Sequence, residues 1–168
     1  MSVLFAFLFK LSSKLNRLKG KIRGYYFSKI FKRCGAVRPR INRGVIFSSP
    51  GNIECGSGLR INPQCYIIAS GGVTFGDNVI VSAGVKILSS SLIVENGVIQ
   101  RKHIHKPVKI GNGVWIGAGA VICPGVTIGD HTIIGSGAVV TKDIPAGCMA
   151  AGVPAKVIKS LDGESFDV

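Results

Sequence analysis

The chain has 168 residues, 46% hydrophobic but only 7% aromatic, with a formal net charge of +13. That length holds one domain and an appendage, and the apolar run Val3–Phe9 falls well short of the roughly 20 residues that a bilayer-spanning helix needs. The charge is uneven: 12 Lys and Arg lie in the first 43 residues and the first acidic residue is Glu54, so the basicity belongs to an N-terminal segment and the remainder is nearly neutral.

Residues 1–44 read as a basic amphipathic helical extension. Leu4, Leu8, Leu11, Leu15 and Leu18 recur at steps of four and three and line one helix face, with Lys10, Lys14, Arg17 and Lys21 on the others. Two readings stand. In one, the helix caps the end of the following domain. In the other, residues 1–33 lie on an anionic membrane surface, with Phe5, Phe7 and Phe9 at headgroup depth. Nucleic acid is not expected as a partner, because the aromatics are clustered instead of interleaved with basic residues. The basic residues follow the apolar run instead of preceding it, which argues against a signal peptide. Five cysteines, odd in number and without a C-x-x-C pair, read as reduced apolar residues with no disulfide or metal role. A cytoplasmic protein, peripheral at most on the inner face of a bacterial cytoplasmic membrane, is the expectation.

Residues 45–160 follow a different rule. Ile110, Ile116, Ile122, Ile128, Ile134 and Val140 return at every sixth position, and Val114, Ala120, Val126, Thr132, Ala138 and Ile144 follow four places after each. Neither a helix nor a plain strand has that period. A short fixed repeat marks a solenoid: three short strands per triangular coil, aliphatic residues inward, Gly and Asn/Asp at the corners. The beat is degraded from Val45, through Ile53, Leu59, Ile61 and Ile67, and regular again through Phe75, Val81 and Ile87. It breaks between Ile87 and Ile110, predicting an excursion loop over about 88–109, with a turn at Glu95-Asn96-Gly97 and a polar run from Gln100 to Pro107. A solenoid with plain sides would build its site in such a loop. Residues 161–168 read as a frayed tail.

Of three histidines, His131 falls at a corner and reads as a solvated turn residue. His103 and His105 share the excursion; if extended, both point to one side with Ile104 opposite, and a neutral imidazole is the usual proton acceptor at neutral pH. No G-x-S-x-G elbow and no phosphate-binding glycine loop occurs, and Gly117-Ala118-Gly119 belongs to the repeat. A base without a nucleophile points to direct transfer.

The run Lys106–Gly117, with Trp115 in a V-W-I-G coil, the Thr141-Lys142-Asp143-Ile144-Pro145 turn and the Ala151-Gly152-Val153-Pro154-Ala155-Lys156 closure, resembles the hexapeptide-repeat O-acetyltransferases. Among these are the galactoside and maltose acetyltransferases and enzymes acting on bacterial surface polysaccharides. The resemblance implies an all-β fold, a left-handed parallel β-helix, assembled as a homotrimer with acetyl-CoA as acetyl donor between neighbouring prisms and no metal. It implies cofactor-binding roles for Trp115, Ala118, Ser136, Thr141, Lys142, Lys156 and Lys159, and a saccharide acceptor, namely a surface polysaccharide or its precursor. In sugar acetyltransferases of this family a catalytic histidine usually opens the excursion. The matching stretch, Leu88–Leu92, has none, so the base is assigned to His105 or His103 at the far end, with His105 ahead because it is nearer the Pro107 re-entry. N-acetylation of a nucleotide-linked amino sugar and a non-catalytic scaffold are the competing readings.

Overall fold

The structure, a computed structural model, describes residues 2–161 and the side chains of residue 12 and of 14–161. One helix, Ser2–Ile30, leads into a three-sided parallel β-solenoid of about six turns, the left-handed β-helix that the hexads imply. The first face holds Arg33–Cys34, Ile53–Cys55, Val73–Phe75, Val108–Ile110 and Thr127–Ile128, with Ile144 bridged to Ile128 beyond them. The second begins at Arg40–Ile41, Arg60–Ile61 and Ile80–Val81 and continues through Trp115–Ile116, Ile133–Ile134 and Cys148–Ala151. The third holds Ile46–Ser48, Tyr66–Ile68, Lys86–Leu88, Val121–Ile122 and Val139–Val140. At the far end Lys156–Ser160 turns back antiparallel along Cys148–Ala151 and covers the last strand of the second face.

Parallel pairing places each coil's inward residue over its predecessor's. Ile41, Ile61, Val81, Ile116, Ile134 and Ala150 stack in register inside the second face, each 0% exposed. Every member of the two hexad series from Ile110 to Ile144 is buried. Fully burying such a side chain contributes about 1.5–3 kcal/mol, so the aliphatic stack is the main source of cohesion. The excursion leaves this stack intact: Val73 pairs with Val108 and Lys86 with Val121 directly across it.

Glycines at the corners serve two different physical needs. At Gly117 a Cβ would sit 2.5 Å from the backbone N of Ser136 in the next coil, so close coil stacking requires its absence. Gly119 has φ +70° with open space beside it, so there the backbone conformation is the constraint. His131 occupies such a left-handed corner position, at φ 53°, and is exposed, as the sequence reading expects. The edge joining the first and second faces carries a ladder of side-chain acceptors. Asp77 Oδ1 accepts the Ser57 N–H at 2.6 Å, Asn112 Oδ1 the Asp77 N–H at 2.8 Å, and Asp130 Oδ1 the Asn112 N–H at 2.7 Å. The Asn112 backbone N–H, then its side-chain amide, hold the Asp130 carboxyl below its usual range.

The extension differs from its expected bounds. The helix stops at Ile30 and the first coil begins at Arg33, not at residue 45. Early coils are 20 residues long, as between Asn42 and Asn62, whereas later coils are 18, as between Asn112 and Asp130, so a hexad count misses the first of them. The helix docks through its second half. Gly20 and Gly24 are buried, a Cβ on Gly24 would meet the Pro39 carbonyl, and Phe27 and Phe31 lie 4.6 and 5.4 Å from the Phe47 ring. Leu15 and Leu18, the two residues of the five-leucine stripe whose side chains are described, are 49% and 53% exposed. Leu4, Leu8, Leu11 and the interleaved Phe5, Phe7 and Phe9 have side chains outside the described residues. Among the described residues no helix is long and apolar enough to cross a membrane. Cys34 and Cys55 are register partners with their sulfurs 3.1 Å apart, both free. Burial, then the Cys34 thiol beside it, pushes the Cys55 thiol up.

Candidate active site

The excursion is a β-ribbon, not an irregular loop. Ser90–Glu95 pairs antiparallel with Val98–His105, and the polar run that the sequence reading leaves without structure is its second strand. Asn96 and Gly97, at φ 52° and 75°, make the two-residue connection. Two successive left-handed residues are what the twist of a tight hairpin demands, and Asn-Gly supplies them at least cost.

Ser89 fastens the base of the ribbon. It is fully buried; its hydroxyl donates to the Ile68 carbonyl at 2.8 Å and accepts the Gly71 N–H at 2.8 Å, and its carbonyl accepts the Lys106 N–H at 2.9 Å. The exit and re-entry strands are thereby tied at one point. Ser89→Ala removes both side-chain bonds, leaving the half-buried Gly71 N–H without this acceptor while the Ile68 carbonyl keeps the Ser89 backbone N–H at 3.0 Å, and is expected to cost about 1–3 kcal/mol in denaturant unfolding.

His105 directly precedes that tie, opposite Ser90, and His103 lies opposite Leu92. The two rings stand on one side of the strand, 6.4 Å apart and within 16° of parallel. Both are exposed, and among the described residues neither imidazole has a hydrogen-bond partner. The ribbon also exposes Val94, Val98 and Ile99, each at 60% or more.

The residues assigned to the cofactor lie at two edges of the prism, with Trp115 on the second face. Ala118 and Ser136 lie at successive corners between the second and third faces, where the Gly137 N–H donates to the Ala118 carbonyl at 2.8 Å. Both are exposed, beside glycines with open space around them. Lys156 opens the final strand next to this edge, where the Ala155 N–H donates to Val139 O at 2.8 Å, and Lys159 lies further along it, paired with Met149. Trp115 is on the second face, half-buried, its indole N–H donating to Ser82 Oγ at 3.0 Å. Ser82 was not singled out from sequence, since 33 residues separate it from Trp115. Thr141 and Lys142 instead follow Val139–Val140 on the edge between the third and first faces, the edge from which the ribbon springs. One prism therefore brings Thr141, Lys142 and the histidines to one edge and Ala118, Ser136 and Lys156 to another. Among the described residues no three His, Cys, Asp or Glu side chains converge on a common point.

Residues 107–142 match the bacterial transferase hexapeptide (six repeats) family, and residues 64–89 match the hexapeptide repeat of succinyl-transferase. The galactoside O-acetyltransferase of Escherichia coli (strain K12) is 36% identical over 161 residues, covering 87% of this chain and 79% of its own. A solved galactoside acetyltransferase in complex with coenzyme A superposes with a TM-score of 0.71 at 34% identity, over 89% of this chain and 82% of that one. A maltose O-acetyltransferase from Clostridium difficile 630 superposes with a TM-score of 0.69 at 28% identity, over 91% and 86%.

Proposed function

Since the chain belongs to the hexapeptide-repeat acetyltransferases, an acetyl-CoA-dependent class, we propose that it moves the acetyl group to a hydroxyl of a saccharide, namely a bacterial surface polysaccharide or its precursor. The observation that carries this reading is the pair of exposed imidazoles on one side of a ribbon tied to the prism beside its own Thr141–Lys142 corner. In the reaction, the acceptor oxygen attacks the thioester carbon and its proton passes to the imidazole of His105. A backbone N–H stabilises the oxyanion, the carbon–sulfur bond breaks, and the proton is returned to the departing thiolate. The 36% identical relative from Escherichia coli, a galactoside O-acetyltransferase, supports a sugar hydroxyl over an amine as acceptor.

The division of the assigned residues between two edges supports a homotrimer, in which the ribbon edge of one prism faces the Ala118–Ser136 edge of the next and acetyl-CoA lies between. A solution mass of three 17.7 kDa chains is the check. The exposed Leu15, Leu18 and Ile22 beside Lys14, Arg17 and Lys21 support peripheral contact of residues 1–33 with an anionic membrane on its cytoplasmic side; co-sedimentation with anionic but not neutral vesicles is the expected result. The activity test is CoA release from acetyl-CoA over a panel of neutral sugars, amino sugars and nucleotide-linked sugars. Turnover with hydroxyl acceptors is expected, and turnover confined to amino groups overturns the assignment.

A further inference from the structure

We propose that a basic cavity between the N-terminal helix and the first coils binds a diphosphate-bearing ligand, and that this ligand is the phosphate-linked end of the saccharide acceptor. The link to the acceptor rests on the acetyl-transfer reading; the diphosphate site does not. The cavity, about 730 Å³, lies on the edge between the first and second faces and brings together Lys21, Arg38, Arg40 and Arg60. Arg40 and Arg60 are direct register partners on neighbouring parallel strands. Like charges placed side by side on a sheet oppose folding, and among the described residues none of the four cations has an ion-pair partner.

Among the described residues no Asp or Glu lines the cavity to relieve that repulsion. Glu54 is on the first face, bound to Lys32 at 2.7 Å and Arg33 at 3.3 Å. Asp77, next to the cavity's Asn78, has one oxygen committed to the Ser57 N–H. The four cations therefore share the cavity with no lining carboxylate among the described residues. The arrangement is built, not incidental: the helix is drawn in by Gly20 and Gly24, which sets Lys21 over the strands, and Arg38 leans on the Tyr25 ring at 4.7 Å.

Three guanidinium forks match phosphate oxygens in geometry as well as charge. The volume exceeds what a lone phosphate fills and lies in the range of about 300–1,000 Å³ typical of organic ligands. Ile80 and Val37, both exposed on the wall, offer apolar surface to whatever the phosphates carry. A diphosphate joined to a sugar, through either a nucleoside or a lipid, has this combination of features.

Calorimetry of the full chain with UDP-glucose tests the soluble source, and flotation with phosphatidylcholine vesicles, with and without a polyprenyl diphosphate, tests the lipid source. Binding of either probe is expected, weakened by about tenfold or more in Arg40→Gln/Arg60→Gln and less in Arg40→Lys/Arg60→Lys. Lys21→Gln, on the exposed helix surface, is a second variant that leaves the strands untouched and is expected to weaken binding too. Soluble binding identifies a nucleotide-linked acceptor, and flotation alone a lipid-linked one. Because acetyl-CoA also carries a diphosphate, each titration is repeated with it saturating. A probe that acetyl-CoA displaces is in the donor site, which overturns the proposal, as does equal affinity in wild type and the Gln variants or binding of neither probe. Retained acetyl-CoA affinity shows that the variants are folded. If the probe binds but acetyl-CoA does not, the acetyl-transfer reading fails and the diphosphate site stands.

Discussion

His105→Ala is expected to lower kcat for acetyl transfer by about 10²–10⁴-fold, the usual contribution of a positioned general base, with acetyl-CoA affinity unchanged. The expectation rests on position. His105 is one residue from the Lys106 N–H that bonds to Ser89, whereas His103 is further out along the ribbon, opposite the exposed Leu92. A side chain next to a buried tie loses less entropy on being held in a reactive geometry than one out on a solvated ribbon. His103→Ala is therefore expected to have the smaller effect, acting through the parallel ring 6.4 Å away. Steady-state CoA release by both variants, with acetyl-CoA binding measured in parallel, decides the matter. Full activity in both sinks the base assignment, and a larger loss in the His103 variant reverses the order. A loss of acetyl-CoA affinity equal to the loss of turnover would point to a positioning or structural role instead.

Ile116→Ala is expected to destabilise the fold by about 2–5 kcal/mol, as large-to-small changes in packed interiors do. Ile116 is fully buried, stacked between Val81 and Ile134 in the coil directly after the ribbon. A coil cannot collapse into the space left, because its backbone is bonded to both neighbouring coils in fixed register. The gap persists and the lost contacts are not regained. Ile99→Ala on the ribbon, 66% exposed in the isolated chain, is the control and should change stability by no more than about 0.5 kcal/mol. Denaturant unfolding of both variants gives the comparison. Similar midpoints for Ile116→Ala and wild type would mean that the stack is not the source of cohesion.

These two substitutions differ in how far sequence alone anticipated them. The inward position of Ile116 follows from its period, and every member of its series is buried as expected. The place of the excursion was equally legible, since a regular beat reveals its own interruption. Its conformation was not read, although Asn96-Gly97 between Leu92-Ile93-Val94 and Val98-Ile99 is the local signature of a hairpin. The N-terminal boundary was missed because coils of 20 residues do not fit a six-residue count.

By itself, then, the sequence determined the solenoid, the orientation of its aliphatic residues and the site of the break, because each follows from a spacing repeated along the chain and from side chains that must leave water. Only the tertiary structure decided which distant residues become neighbours. Coil stacking put Ser82 on Trp115, set Arg40 beside Arg60 under Lys21, and separated Thr141 from Ala118 on different edges. These juxtapositions depend on the exact number of residues per coil and on where the helix docks, and a difference of two residues per turn changes every partner across the coils.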